Sequence, residues 1–216
     1  MASANNRTST TNSRILKLYK SRQTLIDHFE NLEYNVVELA DFGINEIDAM
    51  NNNNQLDITV KHKNDDRKIY VKYYLNSKQI NRAYLDNIIE DLYNIDNVLT
   101  KKDTLIIIIE DEPNETIISK IKYLYDHDGI FVVIHNINRL QYNILNHIYV
   151  PKCEILGDNK VEELKQKYNI MNTKQLPEIS RFDPQALAMC MRPGQVCRFE
   201  RESSTALKYD YYRICV

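Results

Sequence analysis

Two unbroken apolar runs, Leu105 to Ile109 and Ile130 to Ile134, flank a stretch with helical spacing, and this constrains the fold more than any other feature. A strand with one wet face alternates polar and apolar residues, so runs without alternation read as strands buried on both faces. Between them, Glu115 to His127 sets Ile117, Ile118, Ile121 and Leu124 on one side of a helix, and Gly129 stops it. Strand, helix and strand in that order form a crossover in a parallel sheet covered on both faces. Upstream, Leu56, Ile58 and Val60 alternate with polar neighbours, as do Ile69, Val71 and Tyr73 beyond Asn64-Asp65-Asp66-Arg67. That is the signature of an antiparallel hairpin, which makes the sheet mixed.

The flanks complete a first domain. Residues 1–11 are small and polar and predict a disordered leader. Ile15, Leu18, Tyr19, Leu25, Ile26, Phe29 and Leu32 predict one long helix or two short ones over about 13–32. A short strand or helix is expected near 36–49, a loop at Asn51 to Asn54, a helix over 81–95, and another over 137–147. The character changes at Val150. Asp158 or Asn159 is placed to cap a helix holding Val161, Leu164 and Tyr168, Thr173 starts a short turn, and Asp183-Pro184 is a strong helix start. Strands follow over about 195–201 and 209–216. The division expected is a leader over 1–11, an α/β domain with a mixed sheet over 12–149, and a small α+β helix-plus-hairpin domain over 150–216.

A formal net charge of −2 over 216 residues excludes a protein that coats nucleic acid by sheer positive charge, so any DNA contact must be local. Residues 150–216 hold 11 of the 28 basic and 9 of the 30 acidic residues, which makes the small domain mildly basic and the large one acidic. Cys153, Cys190, Cys197 and Cys215 have no C-x-x-C spacing and no matching histidine pair, so they read as reduced thiols rather than a zinc site. Met1 to Arg7 has no apolar core, and Leu105 to Ile109 is far too short to cross a bilayer.

The strongest enzymatic candidate is in the hairpin. Nucleases of the PD-(D/E)xK class hold Mg²⁺ with an Asp at a strand end and an acid two residues before a Lys on the next strand. Here Asp57 and Lys72 occupy two of those places, but the acid is Tyr70, and a phenol is no substitute for a carboxylate ligand at neutral pH. Glu110-Asp111-Glu112 follows a parallel strand, where open α/β sheets bind ligands, yet no Gly-rich turn follows, and a solvated loop is the plainer reading. His127, His135 and His147 lack a Ser or Cys partner in context. Tyr70, Lys72, Tyr73 and Tyr74 come closest to a base-stacking series, although Tyr is also an ordinary sheet residue.

The last third carries an ordered series: Val150-Pro151-Lys152, Tyr168-Asn169-Ile170, Leu176-Pro177-Glu178-Ile179, Asp183-Pro184, Arg192-Pro193-Gly194-Gln195-Val196 and Tyr212-Arg213-Ile214-Cys215-Val216. This resembles the small assembly domain shared by the archaeal H-type and the eukaryotic fifth subunits of DNA-dependent RNA polymerases. The possession of an N-terminal domain, with Gly129-Ile130-Phe131-Val132 ahead of Val150-Pro151-Lys152, is similar to the two-domain eukaryotic type. The chain departs from the family's Ser-Glu-Thr-Ala-Gly turn with Ser203-Ser204-Thr205-Ala206-Leu207. Leu is costly at a positive φ, so a rearranged hairpin turn is expected.

The resemblance implies a non-catalytic structural subunit that needs no cofactor or metal. Its assembly domain would dock on the largest polymerase subunit beside neighbouring small subunits. The N-terminal domain would be an inactive nuclease-like fold forming part of the lower jaw, near downstream duplex DNA contacted weakly. The implied partner-binding residues are Pro151, Lys152, Arg192, Gly194, Arg201, Tyr212 and Arg213. The family's Thr-Pro-Ser-Ala stretch on the DNA side corresponds loosely to Thr116-Ile117-Ile118-Ser119, which gives Asn114, Thr116, Ser119 and Lys120 as DNA-proximal residues. The implied location is intracellular: the nucleus for a cellular source, the virion or a cytoplasmic factory for a large DNA virus. The alternatives are a stand-alone nucleic-acid enzyme, or a binding module, derived from the PD-(D/E)xK fold.

Overall fold

The computed structural model describes residues 2–216, with side chains from Ser13 onward, and the leader expected over 1–11 lies outside the fully described residues. The chain divides into two compact units, residues 1–143 and Ile144–Val216. Among the described residues, no helix is long and apolar enough to cross a membrane.

The first unit is a mixed sheet between helices. Helix α1 (Ala2–Asn31) is one continuous element and buries Leu18, Leu25 and Phe29. Helix α2 (Ile44–Asn52) follows, so the Asn run expected as a loop begins inside a helix end, and only Asn53 and Asn54 turn the chain. Strands β1 (Ile58–Lys61) and β2 (Lys68–Tyr73) form the antiparallel hairpin, with Ile58 opposite Val71. Helix α3 (Arg82–Ile89), capped by the Asn81 side chain, leads to β3 (Thr104–Ile109). Helix α4 (Glu115–Tyr123) leads to β4 (Phe131–Asn136). Both helices widen into a π turn at their ends, and Gly129 leaves the second at φ 71, a conformation that a side chain would penalise.

The order is β1-β2-β3-β4, with β2, β3 and β4 parallel. Every residue of β3 and β4 is buried, as the unbroken apolar runs require. The structure adds a crossover that the residue pattern did not disclose, since β2 also runs parallel to β3 through α3. Buried Asp103 fastens its start: Oδ1 accepts from Lys68 N (2.6 Å), and Oδ2 accepts from Thr100 N (2.6 Å) and the Thr100 hydroxyl (2.8 Å).

The helix expected over 137–147 does not form. Two 3₁₀ turns, Arg139–Gln141 and Ile144–Asn146, replace it. Asn side chains take the place of helix bonds there: Asn138 Nδ2 donates to Glu110 O (3.2 Å), and Asn143 Oδ1 bonds His28 Nε2 (3.2 Å). Residues 144–149, which the composition placed with the first domain, belong to the second unit, where the 144–146 turn packs on a later helix.

The second unit holds more sheet than the expected helix-plus-hairpin. Its strands are β5 (Lys152–Ile155), β6 (Glu178–Ile179), β7 (Val196–Ser203) and β8 (Leu207–Cys215), in the order β5-β7-β8-β6. Helix α5 (Asp158–Tyr168) sets Leu164 and Val161 against Leu156, Val196 and Tyr212 on one face. Gly157 caps it, so neither Asp158 nor Asn159 does so. Helix α6 (Pro184–Ala188) starts as expected, with the Asp183 carboxylate accepting from Gln185 N (2.9 Å). Ala186 then packs with Met191, Cys197, Phe199 and Cys215 on the other face. The β7–β8 turn closes with Ser203 opposite Leu207. Leu207 itself takes the left-handed conformation at φ 57, with its side chain 82% exposed.

Candidate functional site

In the first unit the residues singled out for nuclease chemistry do meet. Tyr70 and Lys72 share one face of β2, and Asp57 stands just ahead of β1. Its Oδ2 accepts from the Tyr70 hydroxyl (2.9 Å) and the Lys72 ammonium (3.1 Å), and its Oδ1 accepts from Tyr73 N (3.3 Å). Burial and then the Asp57 charge push the Tyr70 phenol well above its usual range, so it remains a protonated donor. A carboxylate holding three protein donors has little capacity left for a hard cation. Among the described residues, no group of three His, Cys, Asp or Glu converges that would hold a metal. The cluster ties a loop to a strand; it is not a place for in-line attack.

The other catalytic candidates are dispersed. Glu112 pairs with Arg139 (2.8 Å) and accepts from Asn136. His135 is buried in β4, His127 stacks on Tyr123 (4.3 Å), and His147 lies beside Tyr149 (5.7 Å). The tyrosine series splits across the sheet. Tyr73 turns to Ser21 of α1 (3.4 Å), while Tyr74 stacks on Tyr84 of α3 (4.4 Å). On α4, Thr116 and Ser119 are exposed, but Asn114 caps the helix by accepting from Ile117 N (2.9 Å), and Lys120 is bound to Asp86 (2.6 Å). Two of the four residues named for the DNA side thus serve the fold.

Among the described residues of the second unit no metal-holding group converges either, and a hydrogen bond from the Cys153 thiol holds that of Cys197 below its usual range. Cys153, Cys197 and Cys215 pack in one core; burial pushes the Cys215 thiol up to about 11 and the Cys190 thiol to about 12, so both stay protonated at neutral pH. What this unit offers is surface. A groove of about 980 Å³ runs between residues 145–152 and the hairpin, and Pro151, Lys152 and Arg201 line it together with Ile148, Tyr149 and Tyr209. Ile148 and Tyr149 are 89% and 88% exposed. Gln185 Nε2 donates to Pro151 O (2.7 Å) and so fixes one wall to α6. The Arg201 guanidinium lies 4.4 Å from the Tyr211 ring centre and that of Arg213 5.3 Å, which keeps both arginines on one sheet face.

The remaining residues of the partner-binding set lie elsewhere. Tyr212 points to the opposite face, near Tyr168 (6.0 Å). Arg192 and Gly194 belong to the turn before β7, where Arg192 N donates to Gln195 Oε1 (2.7 Å) and Gly194 adopts φ 88. Ile148, Tyr149 and Tyr209 were not singled out from the sequence. The available signal was an apolar pair in a loop beside a proline.

The second unit is thus a small sheet with a helix packed on each face and an open groove of mixed polar and apolar lining that exposes Ile148 and Tyr149. Residues 142–215 match the family model described as RNA polymerase Rpb5, C-terminal domain. A relative named DNA-directed RNA polymerase subunit Rpo5 from Thermococcus kodakarensis is 42% identical over 76 residues, 35% of this chain and 92% of its own length. The Rpo5 subunit of Nitrosopumilus maritimus is 42% identical over 71 residues, 33% of this chain and 84% of its own. That of Methanosarcina acetivorans is 34% identical over 76 residues, 35% of this chain and 96% of its own. The chain belongs to the Rpb5/Rpo5 family of non-catalytic DNA-directed RNA polymerase subunits.

Proposed function

We propose that the chain docks through its C-terminal unit on the largest subunit of a multisubunit DNA-directed RNA polymerase, beside neighbouring small subunits, and that its N-terminal unit forms part of the lower jaw near downstream DNA. One observation carries the docking half of this reading. Relatives that are polymerase subunits are matched over 92% and 96% of their own length by the part of this chain that includes residues 142–215. Little else remains in them to attach with, so the attaching surface belongs on this unit. The 145–152 groove supports it as the docking face, because exposed Ile148 and Tyr149 gain burial only when a partner covers them. Pro151, Lys152 and Arg201 take part directly, and Arg213 holds the Tyr211 ring beneath them.

For the N-terminal unit we propose an inactive nuclease-like ancestry, supported by the meeting of Asp57 and Lys72 with Tyr70 where a second acid is required. The protein then works wherever its polymerase does, in a nucleus or in a viral factory and virion. The test is affinity purification of the tagged chain from its own source with quantitative mass spectrometry. The expected result is a fixed equimolar ratio to the largest polymerase subunit; a chain recovered free of polymerase overturns the reading.

A further inference from the structure

The carboxyl ends of the parallel strands in the first unit open on a cleft of about 430 Å³ that none of the roles above uses. Its walls come from the first half of α1, the loop after β2, the loop after β3 and the turn after β4. Arg14, Lys17 and Lys78 line it with Glu110, Asp111 and Asn138, over apolar Leu75 and Ile137. This is where open α/β sheets bind ligands, and the volume is within the usual range of about 300–1,000 Å³ for a binding site.

The cations are held in place by neutral groups. Arg14 Nη2 donates to Leu75 O (3.3 Å) and Lys17 Nζ to Asn138 Oδ1 (3.2 Å). Asn138 is itself fixed, its backbone N donating to Asn136 Oδ1 (2.8 Å) and its amide to Glu110 O (3.2 Å). Gln141 bridges Lys17 O and Ile137 O (3.2 and 2.8 Å), and Asp111 N donates to Lys78 O (3.1 Å), which joins two of the walls. Three cations and two carboxylates thus share one cleft, yet among the described residues none of the five is in an ion pair.

We infer that this cleft is a docking site for an extended polypeptide segment of a partner protein, one that presents acidic side chains to Arg14, Lys17 and Lys78 and a basic side chain to Glu110 and Asp111. Charge complementarity selects this occupant. A nucleic acid strand presents only negative charge, and its phosphates would meet two carboxylates, whose like-charge contact opposes binding. A polypeptide carries both signs, its backbone suits the Asn138 amide, and its apolar side chains suit the Leu75 and Ile137 floor. The inference concerns the first unit and extends the polymerase reading to a second contact.

The test places a photocrosslinker at the rim, Ser13→p-benzoylphenylalanine, in the full chain purified by its tag with whatever it assembles into. The expected adduct is a polypeptide whose crosslinked segment carries both charge signs. Its yield should fall about tenfold in Lys17→Gln/Lys78→Gln and again in Glu110→Gln/Asp111→Asn, each equivalent to about 1.4 kcal/mol of paired charge. Urea unfolding of the first unit at the wild-type midpoint in each substituted chain provides the folding control. A DNA adduct, no adduct, or a yield indifferent to both pairs of substitutions overturns the inference. An adduct to a mixed-charge polypeptide in a chain free of polymerase sustains it while removing the polymerase reading.

Discussion

Replacing Ile148 and Tyr149 with alanine separates folding from docking. Both side chains are almost fully in water, at 89% and 88% exposure, so truncation removes little from the folded unit, and its stability should change by no more than about 0.5 kcal/mol. Covered by a partner, each large apolar side chain is worth about 1.5–3 kcal/mol, and the pair about 3–6 kcal/mol. At about 1.4 kcal/mol per tenfold, the double variant should bind polymerase some 10² to 10⁴ times more weakly. The assay is competitive: wild-type and variant chains with different tags are co-expressed, and their ratio in purified polymerase is measured by mass spectrometry. Met171→Ala is the control, since Met171 is 87% exposed but does not line the groove, and it should incorporate like wild type. A double variant that competes equally refutes the groove as docking face. One that unfolds refutes the premise that these side chains serve only a partner.

Three further outcomes follow from the packing. Asp103→Ala removes the acceptor of Lys68 N and of both Thr100 donors at a half-buried site, where water can replace part of the loss, so at about 0.5–1.5 kcal/mol per bond urea unfolding of the first unit should show a loss of about 2 kcal/mol. Leu207→Gly relieves a left-handed conformation costing a branched residue about 1–2 kcal/mol and forfeits about 0.5–1 kcal/mol of chain entropy, so hydrogen exchange in β7 and β8 should slow slightly, and faster exchange counts against strain there. His28 has its pKa lowered chiefly by burial, and its Nδ1 finds no hydrogen-bond partner among the described residues. Below about pH 6.5 the unfolded chain takes up a proton that the folded one resists, so stability is full above that pH and falls beneath it by at most ~1.4 kcal/mol per pH unit. His28→Gln should flatten this slope relative to wild type.

Much of the architecture is legible in local features of the chain. The apolar runs 105–109 and 130–134 read as strands covered on both faces, and they form β3 inside the sheet and β4 at its edge, every residue of both being buried. Asp183-Pro184 specified a helix start through one carboxylate and one fixed φ. The failures have physical causes too. Residues 137–147 carry helical spacing, but Asn138 and Asn143 find better partners on Glu110 and His28, which are distant in sequence. Strands β5 and β6 were invisible because one follows a proline and the other is two residues long, and both exist only by pairing with β7 and β8.

The sequence by itself determined the two-part organisation, the mixed sheet and, through the ordered series after Val150, the polymerase family. Tertiary structure alone decided which charges and apolar groups share a surface. It brought Tyr70 and Lys72 onto Asp57, set Arg14 and Lys17 in one cleft with Glu110 and Asp111, and placed the 148–149 pair and the β7–β8 hairpin along one groove. Periodicity reports which face of its own element a side chain occupies, while the neighbour across a gap is set by sheet order and strand direction, which depend on long-range pairing energies that no local pattern encodes.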